Sequence, residues 1–415
     1  TISNCYCSGN GGGFLYRDPI TTSNQRENLV FRDTVIENCE CGNGRALFLT
    51  AATSNPITFQ NMTIQHIKTN NGFIFTLGHN KKAPLVEFNQ CNFIDCKTNI
   101  NGGDGGGLGF WCSDEDQIIF SNCLFQQLEA GQNGGAISFT ASAPRRDTKM
   151  TFDTCTFNQN KADANGCALY IDISAELHVY HCNFTDNFGQ GSTGFGGAIF
   201  ITQNSRNINI EESEFHSNSQ NSQAAGHGNA IYFQKQTQLV AFVQKCKFFN
   251  CGNNNKGSVV YSDGVDLEFL GNQIQFTQPS AAAKGLHVST SCDIHIANSS
   301  FIGCVTTEGT MGAGFVFSSI NSYDMSAKGL IHIDNTILEN NDGSNGNAML
   351  IVTNENPIIK QVTIRGHKNG KFIFSLFVTK DFDEDITIED CIFEENQFVA
   401  NNEGSADGGG SGIWV

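Results

Sequence analysis

The sequence has no basic patch: its 24 Lys and Arg are scattered among 41 Asp and Glu, for a formal charge of -17. That balance repels phosphate backbones and anionic membrane surfaces, so no nucleic-acid partner is expected. No apolar run approaches the roughly 20 residues that a membrane-crossing helix needs. The opening Thr1-Ile2-Ser3-Asn4-Cys5 shows no charged-then-apolar leader. Charged residues are scarce at 16%, but 39% of the chain is hydrophobic, enough for a large core and against disorder. With only 2 Trp the Trp-Asp signature of a propeller is missing. The Leu-x-x-Leu-x-Leu pattern of leucine-rich repeats is absent, and no stretch carries a helical apolar stripe.

What is abundant is 44 Gly, 34 Phe and 16 Cys, and these recur in register. Ile118 to Phe125, Met150 to Phe157 and Leu177 to Phe184 are versions of one element ending in Cys-x-Phe. Each is followed, after a polar Gly- and Asn-rich interval, by a small-residue step and another apolar strand: Gly134-Gly135-Ala136-Ile137, Gly166-Cys167-Ala168-Leu169 and Gly196-Gly197-Ala198-Ile199. Taking the residue that ends the first element as an anchor gives Ile2, Ile36, Ile64, Phe93, Phe125, Phe157, Phe184, Phe215, Phe248, Ile274, Phe301, Leu338, Ile364 and Phe393. The spacing varies in the Gly/Asn/Ser intervals, where insertions cost little. Short strands with apolar residues at alternate positions, in a repeat of about thirty residues, cannot bury their inward face alone and must coil, each turn on the last. The expected fold is all-β: one continuous parallel β-helix domain over residues 1–415, of about fourteen coils.

Laid out this way, the sequence resembles the Gly-Gly-Ala-Ile / Phe-x-x-Asn repeats of the chlamydial polymorphic outer-membrane proteins and of related surface proteins in some protists. Full Gly-Gly-Ala-Ile occurs at Gly134 to Ile137 and Gly196 to Ile199, with a worn version at Gly228-Asn229-Ala230-Ile231. Phe-x-x-Asn appears as Phe157 with Asn160, Phe184 with Asn187, Phe215 with Asn218 and Phe393 with Asn396. The resemblance implies a right-handed, pectin-lyase-like β-helix at a cell surface, used for adhesion or as structural material. No C-terminal membrane barrel of the kind that family carries is expected within these 415 residues.

Two positions before the anchors stand Cys91, Cys123, Cys155, Cys182, Cys246 and Cys391; three after them stand Asn160, Asn187, Asn218, Asn341 and Asn396, with Cys5, Cys39, Cys96, Cys251 and Cys304 in the same place. Two from a buried residue on one strand, the first set should point inward. Stacked Asn should hydrogen-bond along the axis. The Cys are read as small, mostly apolar core residues, with axial disulfides as the alternative. Cys5, Cys7, Cys39 and Cys41 gather one coil apart at the N-terminal end; free thiols, a Cys5–Cys39 or Cys7–Cys41 disulfide and a zinc site all remain open.

No catalytic set emerges. Gly226-His227-Gly228 stands without the carboxylate pair that glycoside hydrolysis requires, and reads as a bend. Asp114-Glu115-Asp116, Glu211-Glu212 with Glu214, and Asp381 with Asp383-Glu384-Asp385 read as solvated turns, and His178 and His181 as exposed residues. Gly102 to Gly107 lacks the Lys-Ser/Thr of a phosphate loop. The expectation is a non-enzyme with no cofactor or metal. Sequons at Asn61, Asn183 and Asn298 are potential glycosylation sites, Asn183 facing solvent by alternation. Thr1 and the closing Gly408 to Val415 both read as the interior of a coil, so the ends are expected to be open: an interior fragment, or a subunit that stacks head to tail. The functional expectation is an extracellular or cell-surface rod, structural or adhesive. Its partners would be its own ends, a neighbouring or host cell surface, or glycans. Three features separate this from the alternatives: convergent carboxylates would mark an enzyme, exposed aromatic rows a glycan binder, and polar featureless faces a rod.

Overall fold

In the computed structural model the described residues are 1–7, 14–17, 28–42, 47–51, 56–69, 75–79, 85–98, 108–111, 117–140, 148–172, 175–191, 194–202, 205–221, 228–234, 240–252, 257–277, 283–289, 292–306, 313–317, 329–343, 348–353, 355–368, 373–378, 386–397 and 413–414. The chain divides into two compact units, Thr1–Glu214 with Asn218–Ser222, and Phe215–Ser217 with Gln223–Val415.

In the first unit each strand pairs in parallel with its equivalent one coil on. Ile2 faces Ile36, Ile36 faces Ile64, Ile64 faces Phe93, and the row continues through Phe125 and Phe157 to Phe184. The anchor strands are three residues long, Asn92–Ile94 or Thr156–Asn158 for example, with only the central residue inward. Ahead of each runs a longer strand, such as Leu85–Asn89 or Thr148–Asp153, whose inward Phe59, Phe88, Phe120 and Phe152 form a second row. The small-residue step leads into a third, through Ile137–Thr140, Leu169–Asp172 and Ile199–Ile201. Because the register repeats, identical side chains stack: Phe125 on Phe157 and Phe157 on Phe184 at 4.7 Å, and Phe88 on Phe120 at 4.7 Å. The two Phe rows meet edge to face, Phe152 against Phe157 at 5.7 Å. Each buried ring contributes about 1.5–3 kcal/mol, and each pair about 0.5–1.5 kcal/mol more.

The second unit repeats the plan with more aliphatic residues. Phe248, Ile274, Phe301, Leu338, Ile364 and Phe393 pair in register. The second inward row runs through Val243, Phe269, Ile296, Ile333 and Ile359. In both units the core lies inside the coil.

Two bends per coil turn the chain through the left-handed region. One column holds Asn61 (φ 51°), Asn122 (φ 55°) and Thr154 (φ 56°); the other holds Asp95 (φ 46°), Gln127 (φ 56°) and Gln159 (φ 56°). Asn tolerates this region, but a β-branched residue is strained there. Thr154→Asn is therefore expected to raise the stability of the first unit by roughly 1 kcal/mol. A denaturant melt in which the variant gains nothing would contradict the strain. At the small-residue step the constraint is steric as well: Gly134 has φ 67°, and a Cβ on Gly135 would collide with the Cys167 carbonyl.

Candidate functional site

Most members of both ladders are hydrogen-bond donors, while Met62 and Val362 in the first and Ile67 and Leu128 in the second are buried apolar residues. Two before the anchor, the Cys91, Cys123, Cys155 and Cys182 thiols donate to the carbonyls of Phe59, Phe88, Phe120 and Phe152, one coil back, at 3.3–3.6 Å. Each also reaches the carbonyl two residues earlier in its own bend, as Cys182 does to Tyr180 at 3.1 Å. In the second unit Asn272 (2.7 Å to Val243), Ser299 (3.3 Å to Phe269) and Cys391 (3.8 Å to Ile359) repeat the pattern. Cys91, Cys123, Cys155 and Cys182 are buried core residues, as expected, and like the Ser and Asn that share the ladder they also supply a proton to the bend.

Three after the anchor the acceptor is the preceding anchor's own carbonyl. Asn160 donates to Phe125 at 3.0 Å, Asn187 to Phe157 at 3.0 Å, and Asn218 to Phe184 at 2.8 Å. Their Oδ1 atoms accept in turn from the coil before, Asn187 Oδ1 from both the backbone and the side chain of Asn160. In the second unit Asn341 donates to Phe301 and Asn396 to Ile364, both at 3.0 Å, while Cys251 reaches Phe215 at 3.2 Å. The Asn ladder thus satisfies backbone groups, as its placement at a bend suggested.

Cys5, Cys39, Cys91, Cys123, Cys155, Cys182 and Cys391 are free thiols here, and Cys41 is buried; the Cys7 side chain lies outside the described residues. Burial pushes the Cys96 and Cys167 thiols up to about 12, and the hydrogen bond with Cys155 pushes Cys123 to about 12. Such thiols are poor nucleophiles. Alkylation without reductant is expected to leave Cys91, Cys123, Cys155 and Cys182 unlabelled in the native protein at pH 8 and to label all of them after denaturation. Recovery of any of them in a disulfide-linked peptide pair would overturn this.

Of the charged groups singled out in the sequence, Glu212 pairs with His181 at 3.1 Å, and His181 also meets Asp153 at 3.3 Å, the Asp153 bond chiefly raising its pKa. His178 Nδ1 lies 2.8 Å from the Tyr180 hydroxyl. No three metal-ligating groups converge among the described residues. His227, Gly102 to Gly107, Asp114 to Asp116 and Asp381 to Asp385 lie outside them. Asn61, Asn183 and Asn298 are all exposed; Asn61 donates to Asp33 at 2.7 Å, and Asn298 accepts from Asn335 at 2.7 Å.

One polar arrangement among the described residues was not anticipated from the sequence. On the strand after the small-residue step in the second unit, Tyr232, Tyr261 and His287 occupy one outward row, in register on Gly228–Phe233, Ser258–Asp263 and Lys284–Ser289. They are nonetheless 8%, 1% and 7% exposed. The tyrosine rings stack at 5.0 Å, and His287 stands edge-on to Tyr261 at 5.0 Å. The Tyr261 hydroxyl donates to Ser289 Oγ at 2.9 Å, which donates to Asp263 at 3.1 Å, a relay ending on a carboxylate. Burial lowers Lys284 to about 8, and burial with the Lys284 charge holds His287 neutral, well below its ordinary pKa. His287 Nε2 has no hydrogen-bond partner among the described residues. Such a set can bind a polar ligand or move a proton, but Asp263 is one carboxylate where glycoside hydrolysis uses two. The available signal was positional: Tyr170, Phe200, Tyr232 and Tyr261 all follow the small-residue step by the same interval.

Among the described residues no helix is long and apolar enough to cross a membrane. No curated protein and no solved structure matches the chain. Residues 74–301 match the family described as the right-handed β-helix region. The fold so supported has about 9 turns of roughly 29 residues, fewer than the fourteen coils counted from the anchors. The anchors outside the matched residues, Ile2, Ile36, Ile64, Leu338, Ile364 and Phe393, are mostly aliphatic and carry the most degenerate copies of the repeat. Nothing specific to the chlamydial surface proteins accompanies the match. With parallel coils in both units and the match covering more than half of its 415 residues, the chain belongs to the right-handed β-helix family.

Proposed function

We propose that this β-helix serves as an extracellular or cell-surface rod, structural or adhesive and without catalysis. One observation carries the reading: on the outer faces of the anchor strands, of the strands before them and of the two-residue strands after them, such as Lys97–Thr98 and Glu129–Ala130, polar side chains tie coil to coil. Lys97 pairs with Glu129 at 3.1 Å, Lys149 with Glu176 at 3.0 Å, Gln65 donates to Glu37 at 2.9 Å, and Arg365 pairs with Glu339 at 2.7 Å. Exposed pairs of this kind are individually weak, about 0–1 kcal/mol. They resemble a repeated surface finish more than a site. Antibody applied to intact source cells should decorate their surface, and the purified protein should release no product from polysaccharides. Label confined to permeabilised cells, or cleavage of a polysaccharide, would refute the reading.

A polysaccharide-binding or polysaccharide-active protein is the second reading. Lys284, near the buried His287 and the Tyr261–Ser289–Asp263 relay, favours it. A lysine whose pKa is near 8 can take a proton.

A further inference from the structure

A second outward row in the second unit carries a different chemistry. On the strands Asp266–Leu270, Ile294–Ala297 and Ile331–Asp334, Glu268, His295 and His332 stand side by side in strict register. The two imidazoles stack with centroids 4.8 Å apart and planes 18° from parallel. Glu268 Oε2 lies 2.9 Å from His295 Nδ1. That contact fixes the tautomer: Nδ1 carries the proton and donates to the carboxylate, leaving the Nε2 lone pair available. A carboxylate behind a histidine is the usual support for a metal-ligating imidazole, orienting the ring and raising its basicity.

His295 and Glu268 are 35% and 33% exposed, so the face is open to solutes. Among the described residues no group hydrogen-bonds to His295 Nε2 or to either ring nitrogen of His332. The row is flanked by Phe242 on one side and Ile358 on the other, so no cation competes within it. Lys360, beyond Asp334 on the neighbouring row, is held by Glu389 at 2.9 Å. Asp334 shares the outward face of the His332 strand, two residues on, and adds negative potential without closing a third ligand position.

We infer that His295 and His332 form a two-imidazole site for a divalent transition-metal ion of the Zn²⁺, Ni²⁺ or Cu²⁺ class, with Glu268 positioning His295 and water completing the coordination. Imidazole is the ligand these ions favour. At metal–nitrogen distances near 2.0–2.1 Å, two ligands of one ion lie roughly 3–4 Å apart. Rings stacked 4.8 Å apart reach that by tilting together at their Nε2 edges.

The test is calorimetric titration of the full chain with ZnCl₂ and, separately, NiCl₂ at pH 7.5. One ion per chain is expected, with binding lost in His295→Ala and in His332→Ala. Glu268→Gln should weaken it roughly tenfold, the typical loss for a supporting carboxylate. Circular dichroism of each variant without metal should match the parent, because all three side chains are outward. Failure of both ions to bind, or undiminished binding in the His295→Ala/His332→Ala double variant, would overturn the site. Undiminished affinity in Glu268→Gln would remove the positioning role.

Discussion

Asn187→Leu is expected to destabilise the first unit by about 4 kcal/mol, although leucine nearly matches asparagine in size. The substitution strands the Phe157 carbonyl, which loses its side-chain donor at 3.0 Å, and the Asn160 backbone N–H and amide, which lose Asn187 Oδ1 at 3.1 and 2.9 Å. Each buried polar group left unpaired costs about 1–3 kcal/mol, and Asn187 is 0% exposed, so water cannot substitute. Asn187→Cys is the informative control. A thiol already fills the equivalent place at Cys96, where it reaches the preceding anchor Ile64 at 3.7 Å and Ile94 at 3.3 Å. The cysteine variant should therefore lose less than the leucine variant despite burying less apolar surface. Denaturant unfolding of both decides it: a leucine variant as stable as the cysteine variant would mean that the ladder fills space and does not satisfy the backbone.

Phe157→Ala should cost a comparable 3–5 kcal/mol by a different mechanism. The ring is 0% exposed and lies between Phe125 and Phe184, each at 4.7 Å and within 7° of parallel, with Phe152 edge-on at 5.7 Å. In a stack, removal of one ring opens two faces at once. The neighbouring rings cannot close the gap, because their backbones are held at the strand spacing by hydrogen bonds. A loss below about 1.5 kcal/mol, read from the same unfolding curves, would show that the coils collapse onto the cavity.

The register of Phe93, Phe125, Phe157 and Phe184 was legible because an inward aromatic at a fixed place in a repeat has one physical explanation, and strand pairing places these residues face to face. The small-residue step was legible for the same reason. The bends were less so. Gln90, Thr154, Lys245 and Glu395 adopt φ of 52–56° without being turn formers, because stacking of the flanking strands imposes the conformation over local preference. Cysteine was legible as a buried core residue but not as a donor, because that work depends on a carbonyl some thirty residues earlier, which no local pattern reveals. The Tyr261–Ser289–Asp263 relay and the His295–His332 pair each join different coils. The interval between those two histidines is among the longest, 37 residues, which hides their alignment.

The donors of both ladders all point the same way along the chain. Cys91 reaches back to Phe59, Cys123 to Phe88, Asn160 to Phe125, Asn341 to Phe301 and Asn396 to Ile364. A chain leaving the ribosome presents its N-terminal coils first. Each newly made bend then finds its acceptor already built, and in docking it closes the open carbonyl of the coil before it. The solenoid can therefore assemble like a zip drawn from one end, at the pace of translation and without waiting for residues not yet made.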